Sequence, residues 1–327
     1  VSAEVTFASG SSPVLDPILA GTVRPDGIAL APVRLHPAEL FRRQFDRAEF
    51  DVSELSLASL LMRWSSGDRT WRPLPVLPRR DFFHTYVRVR EGGRVRTPAD
   101  LNGSRIGVPE YQMSAATWSR GTLADEFGFD PFTASWSVER LPHQSIGAVS
   151  AARVPDGIDV QHVPAGDSMR AMLARGDLDA VLLFVDELHP AQASPADRSG
   201  QERADGVASL FADDAAEGRR YLRSSGVLPA NHCMVVRAAL AERDPSLPSR
   251  LTEMFERARV LANGEARSQL RLAWQTGDLP WGAVADFAFP PYDREDAVRT
   301  VQKLADHLYA QRLIDRPVDS TELFPAD

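Results

Sequence analysis

The chain has a single cysteine, Cys233, in 327 residues. That excludes an internal disulfide framework and a Cys-rich zinc centre. It has no excess of positive charge: 37 Lys and Arg stand against 45 Asp and Glu, a formal net charge of −8. Nucleic acid and an anionic membrane surface are therefore not expected as partners. No apolar run approaches the roughly 18 residues that a membrane-spanning helix needs. Residues 1–10 contain no basic stretch, no apolar stretch and no small-residue cleavage site, so a cytoplasmic protein is expected. No Gly-rich phosphate loop is present, which leaves a nucleotide without support; no cofactor is expected. No two histidines stand at i, i+3 or i, i+4, and no carboxylates cluster at ligand spacing, which disfavours a metal site.

What the chain does have is an ordinary soluble composition, 43% apolar and 25% charged, and enough length for one large or two average domains. Strand signals alternate with helix signals, the pattern of an α/β protein. Residues 4–8, 28–33, 51–55 and 85–90 read as strands, and His36 to Arg47 reads as a helix with Leu40, Phe41 and Phe45 on one face. A helix starts near Ser56. A second unit begins at about Thr97, with a strand over 105–109, a helix capped by Ser114 and running to about Phe127, a helix over 168–175 and a buried strand over 179–185. Met234 to Val236 is a returning strand, and the chain from Pro248 is mostly helical. The polar segment 191–206 reads as a surface loop. The expected organisation is two lobes with mostly parallel sheets. Residues 1–97 plus 227–327 form the first, 98–226 are inserted as the second, and a ligand cleft lies between them. A homo-oligomer is left open.

Four stretches taken in order carry a resemblance: residues 51–90, with LPVLPRRDFFH at 74–84; residues 100–121, with RIGVPEYQ at 105–112; GDLDAVL at 176–182; and GVLPANHCMVV at 226–236. Together they resemble the 4,5-dihydroxyphthalate decarboxylase family. Its members look like two-lobed periplasmic binding proteins of type II, reused in the cytoplasm as catalysts. Close members carry an HGG-type stretch after the second-lobe helix, whereas this chain reads LPHQSIGAVS at 141–150, keeping His143 without the glycines. The segment 187–206 also departs from the family pattern.

The candidate site residues follow. Glu110, Tyr111, Gln112 and Ser114 stand where a strand turns into a helix, and free N–H groups at such a start favour a carboxylate. Ser56 and Ser59 repeat the arrangement in the first lobe, so two helix starts facing across the cleft would hold a dianion. Ser9, with Gly10, is a weaker version. Arg79 and Arg80 precede Phe82, and one of them is expected to neutralise a substrate carboxylate. His84 and His232 stand near the lobe crossings, inside the resembling stretches, and are the candidate acid and base. Glu110 is a less favoured third. Asp186, with Glu187, ends the buried strand and could bond a phenol hydroxyl or orient a histidine. His36, His162, His189 and His307 are read as structural.

The resemblance implies a cofactor-independent decarboxylase of a hydroxylated aromatic carboxylic acid, with a small anionic aromatic molecule as its partner. The alternatives on the same fold are another cytoplasmic biosynthetic enzyme and a solute-binding protein of an ABC-type transporter.

Overall fold

The computed structural model describes residues 4–141, 145–146, 154–182, 206–278 and 288–325. Its strands form two sheets. In chain order they are β1 (Val5–Ser9), β2 (Leu30–Arg34), β3 (Val52–Ser56), β4 (Trp71–Pro73), β5 (Val87–Arg90) and β6 (Arg105–Val108). These are followed by β7 (Ser135–Val138), β8 (Val160–His162), β9 (Ala180–Leu182), β10 (Val207–Ser209) and β11 (His232–Arg237). The first sheet has the order β2-β1-β3-β11-β4 and the second β10-β5-β9-β6-β7-β8.

The sequence suggested mostly parallel pairing: the second sheet is parallel in three of its five pairings, while the first is evenly mixed. β1 pairs parallel with β2 and β3, but the returning β11 is antiparallel to both β3 and β4. In the second sheet β6, β7, β8 and β9 are parallel, and β5 is antiparallel to β9 and β10. β5, which precedes residue 97, belongs to the second sheet. Val87 and Val89 are buried, and β5 pairs with β9, so the chain changes sheets between Pro73 and Val87.

The helices are α1 (Asp16–Leu19), α2 (Pro37–Arg47), α3 (Leu57–Ser65), α4 (Ser114–Phe127), α5 (Met169–Arg175), α6 (Asp214–Ser225), α7 (Ala238–Arg243), α8 (Leu247–Gln275) and α9 (Arg294–Ala310). α2 forms where periodicity placed it. His36 caps it by accepting from Ala38 N–H at 3.2 Å, Pro37 fills its first position, and Leu40, Phe41 and Phe45 are buried. α8 covers one face of the first sheet through Leu251, Met254, Phe255 and Ala258, which pack with Phe7, Val52, Met234 and Val236. Among the described residues no helix is long and apolar enough to cross a membrane.

Two chain segments cross between the sheets side by side. Asp81 N–H donates to Pro229 C=O at 3.1 Å, Asn231 N–H donates to Arg79 C=O at 3.2 Å, and Arg80 and Ala230 form an antiparallel bridge. Trp118 of α4 pins this ladder, donating from Nε1 to Ala230 C=O at 2.7 Å. The crossing therefore fixes Arg79 and His232 against the same end of the first sheet.

Candidate active site

The polar centre of the molecule lies where β1 and β3 end and β11 begins. β11 runs antiparallel to β3, so its first residue, His232, stands opposite the last residue of β3, Ser56. Strand ends of this kind are where α/β proteins place ligands. Glu54, two residues back on β3, is fully buried. Its Oε1 accepts from Arg79 Nε at 2.5 Å and meets His232 Nδ1 at 2.6 Å, while Oε2 accepts from Gly10 N–H at 2.9 Å. Arg79 also donates from Nη2 to Ser11 C=O at 2.9 Å. Gly10 is required by this approach: a Cβ there would stand 2.7 Å from Arg79 Nη2 and 3.0 Å from Pro37. The His232 ring sits edge-on to Phe41 at 4.8 Å.

The charges of this cluster follow from its contacts. Burial opposes ionisation of Glu54, but the charges of Arg79 and His232 and the hydrogen bonds from both outweigh it, holding the carboxyl far below the usual range. Burial pushes the His232 imidazole below its ordinary value. Glu54 works against that, and Arg79 and His36 add to it. A carboxylate bonded to Nδ1 fixes the tautomer and leaves Nε2 as the working nitrogen.

The sequence reading missed Glu54. The signal was present: a glutamate inside the buried run from Val52 to Leu55 needs a cation beside it, because carboxylates are almost never fully buried unpaired.

The structure brings Ser56 and Ser114 together directly. Their hydroxyls lie 3.1 Å apart, and Ser114 Oγ accepts from Ala58 N–H at 2.9 Å. Ser114 is therefore the first residue of α4 and not its cap, and its side chain satisfies the start of α3 instead. Ser59 is buried, with its N–H 3.5 Å from Ser56 Oγ. The two helix starts meet hydroxyl to hydroxyl. Ser9 ends β1, fully buried, and its Oγ has no partner.

The other candidates are placed elsewhere. Glu110 is committed on both oxygens: Oε1 accepts from Gln112 Nε2 at 2.5 Å and from Ser145 Oγ, and Oε2 pairs with Arg140 Nη1 at 3.1 Å. Tyr111 is buried with its ring 3.9 Å under the Arg120 guanidinium and edge-on to Trp136 at 5.3 Å. Arg80 turns away from Arg79, bonding Leu228 C=O at 3.0 Å and pairing with Asp296 of α9. His84 lies in a one-turn 3₁₀ helix over Phe83–Tyr86, with Nε2 3.1 Å from Glu217 and its ring against Tyr221 and Phe211. It shares no contact with the Glu54 cluster. Asp186, Glu187 and His143 lie outside the described residues.

Beside Arg79 and Asn231 a cavity of about 340 Å³ opens, with aromatic walls from Phe83, Phe289 and Tyr292. That volume suits a small aromatic acid. His232 does not line this cavity, but Glu54 holds its imidazole on the same oxygen as Arg79, which does. Among the described residues no group of three or more His, Cys, Asp or Glu is placed to hold a metal ion.

No protein-family model matches the chain. A 4,5-dihydroxyphthalate decarboxylase of Comamonas testosteroni is 31% identical over 259 residues, 79% of this chain and 76% of that protein. A protein of the same name from Pseudomonas putida is 33% identical over 180 residues, 54% of this chain and 69% of its own length. Among solved structures, the periplasmic aliphatic sulphonate binding protein SsuA from Escherichia coli aligns with a TM-score of 0.56 at 15% identity, over 98% of this chain and 97% of that one. At that identity the likeness concerns the fold alone, which is periplasmic-binding-protein-like. On the strength of the Comamonas relative, this chain belongs to the 4,5-dihydroxyphthalate decarboxylase family.

Proposed function

We propose that the protein is a decarboxylase of a hydroxylated aromatic carboxylic acid of the 4,5-dihydroxyphthalate kind. The family membership supports the reaction class. The observation that carries the chemistry is the buried Glu54 carboxylate holding both Arg79 and His232. One is a permanent cation for a substrate carboxylate, and the other an oriented imidazole that can carry a proton.

Loss of CO₂ directly from an arene would leave an aryl carbanion. A hydroxyl para to the carboxylate avoids it. As the hydroxyl proton passes to solvent, its electron pair moves into the ring, and protonated His232 delivers a proton from Nε2 to the carbon bearing the carboxylate. The C–C bond to the carboxylate then breaks. Its electron pair returns to the ring, CO₂ departs, and the oxygen regains a proton. The sum is one proton consumed and one C–H bond formed. The ring itself is the electron sink, so the route calls for no cofactor. Glu54 stabilises the imidazolium and sets its orientation, and Arg79 anchors the ligand.

The test is CO₂ release from 4,5-dihydroxyphthalate by the purified protein, with His232→Gln as the control. Release that depends on His232 supports the reading. Tight binding without release by the wild type favours a receptor on the same fold and overturns it.

A further inference from the structure

One oxygen of Glu54 serves two donors. Arg79 Nε and His232 Nδ1 both meet Oε1, at 2.5 and 2.6 Å, while Oε2 is taken by Gly10 N–H. Arg79 keeps Nη1, and His232 keeps Nε2, free of hydrogen bonds to the described residues. The formal charge of the cluster is zero when the imidazole is neutral: Glu54 is balanced by Arg79. A proton on His232 would then add a net positive charge in a nearly closed site. The charged and titratable groups around the ring are Glu54 on β3, Arg79 on the crossing and His36 at the start of α2. Only the first favours the imidazolium.

We propose that binding of a carboxylate ligand at Arg79 makes His232 take up a proton, so that the site arms its acid only when it is occupied. The identity of the ligand rests on the functional reading above. A ligand carboxylate against Arg79 restores neutrality with imidazolium present. It also draws the guanidinium charge away from Glu54 Oε1, which leaves more of that oxygen to His232. An opposite charge within a few ångströms moves a titration by about one to three pH units. Burial outweighs Glu54 and holds the imidazole below its ordinary value, which is the starting point the device needs. The proton comes from solvent, and no other bond changes. Glu54 is a positioning residue here: it reaches the ligand only through its two partners.

The experiment is calorimetric binding of phthalate in buffers of different ionisation enthalpy near about pH 7.5, above the ordinary imidazole range. Phthalate has both carboxylates but lacks the hydroxyl that the reaction needs. Wild type is expected to take up about one proton per site. His232→Gln is expected to bind phthalate with no uptake. Glu54→Gln, its folding checked by circular dichroism, is expected to lower the pH at which uptake is half complete. Binding without uptake in the wild type, uptake that survives in His232→Gln, or no binding of phthalate at all would overturn the proposal. CO₂ release from 4,5-dihydroxyphthalate, measured on the same preparation, separates the two ideas. Uptake without release rejects the functional reading alone, and release without uptake rejects this inference alone.

Discussion

Gly121 of α4 and His307 of α9 occupy one another's space: a Cβ on Gly121 would stand 2.3 Å from Cγ of the His307 ring. The glycine is helical, so its role is close approach and not backbone freedom. The imidazole is 3% exposed and sits edge-on to Trp118 at 5.3 Å. The same closeness lets Gln311 accept from Arg120 Nε at 2.8 Å and donate to Thr117 C=O at 2.9 Å. Gly121→Ala should therefore push α9 off α4. Overpacking typically costs about 1–3 kcal/mol, more than the roughly 1 kcal/mol that alanine gains over glycine in a helix. A urea midpoint that stays level or rises would show that the two helices are not packed this tightly.

His307 also makes a prediction about pH. Burial pushes its imidazole down from 6.5 to about 4, with Asp125 opposing and Lys303 adding. The unfolded chain therefore binds this proton more readily than the folded one. Stability is intact above about pH 6.5 and is lost as pH falls toward 4, by on the order of 3 kcal/mol. His84 and His232 are lowered as well and act in the same direction, so the test must isolate one ring. His307→Gln should flatten the fall in unfolding free energy between pH 7 and pH 4.5 relative to wild type. An unchanged slope would remove His307 from the account.

Arg79→Ala should do more than weaken binding. Sequence alone suggests an arginine that holds only the ligand, but Arg79 pairs with a carboxylate that has no exposure of its own. Removing one partner of a buried pair costs about 3–5 kcal/mol, because the other charge is stranded. Arg79→Ala is thus expected to lower stability as well as affinity, and Arg79→Ala with Glu54→Gln should recover much of the stability but not the affinity. Denaturant midpoints and ligand titration on both variants distinguish this from a pure binding defect, in which the single variant would unfold normally.

Much of the frame was legible from periodicity and caps. The helix over 37–47 declares itself by its apolar face and by His36 and Pro37 at its start. What periodicity could not show was partnership across the chain. Ser114 looks like a local cap because a serine before an apolar run usually is one, yet its hydroxyl bonds Ala58, 56 residues away. The strand expected over 85–90 begins only at Val87, because Thr85 and Tyr86 complete the 3₁₀ turn that starts at Phe83. Arg79 and Arg80 are indistinguishable in composition. The crossing separates them, because adjacent residues on an extended segment point to opposite sides, one to Glu54 and the other to Asp296. Glu54 was the readable clue left unread.

The two histidines named from sequence now separate into different predictions. His232 shares Glu54 with Arg79, and His84 is packed between Glu217, Tyr221 and Phe211 with its Nδ1 unpartnered. General acid–base catalysis contributes about 10²- to 10⁴-fold, so His232→Gln should lower kcat by roughly that factor with little change in affinity for the substrate. His84→Gln should leave kcat within a few-fold of wild type, because its ring is spent on packing. Its cost should appear in stability instead, at about 1–3 kcal/mol for a disturbed buried hydrogen-bonding group. Turnover and unfolding measured on both variants decide the matter. A large kcat loss in His84→Gln with normal stability would return that residue to the active site and require the two sheets to bring it to the ligand in another arrangement.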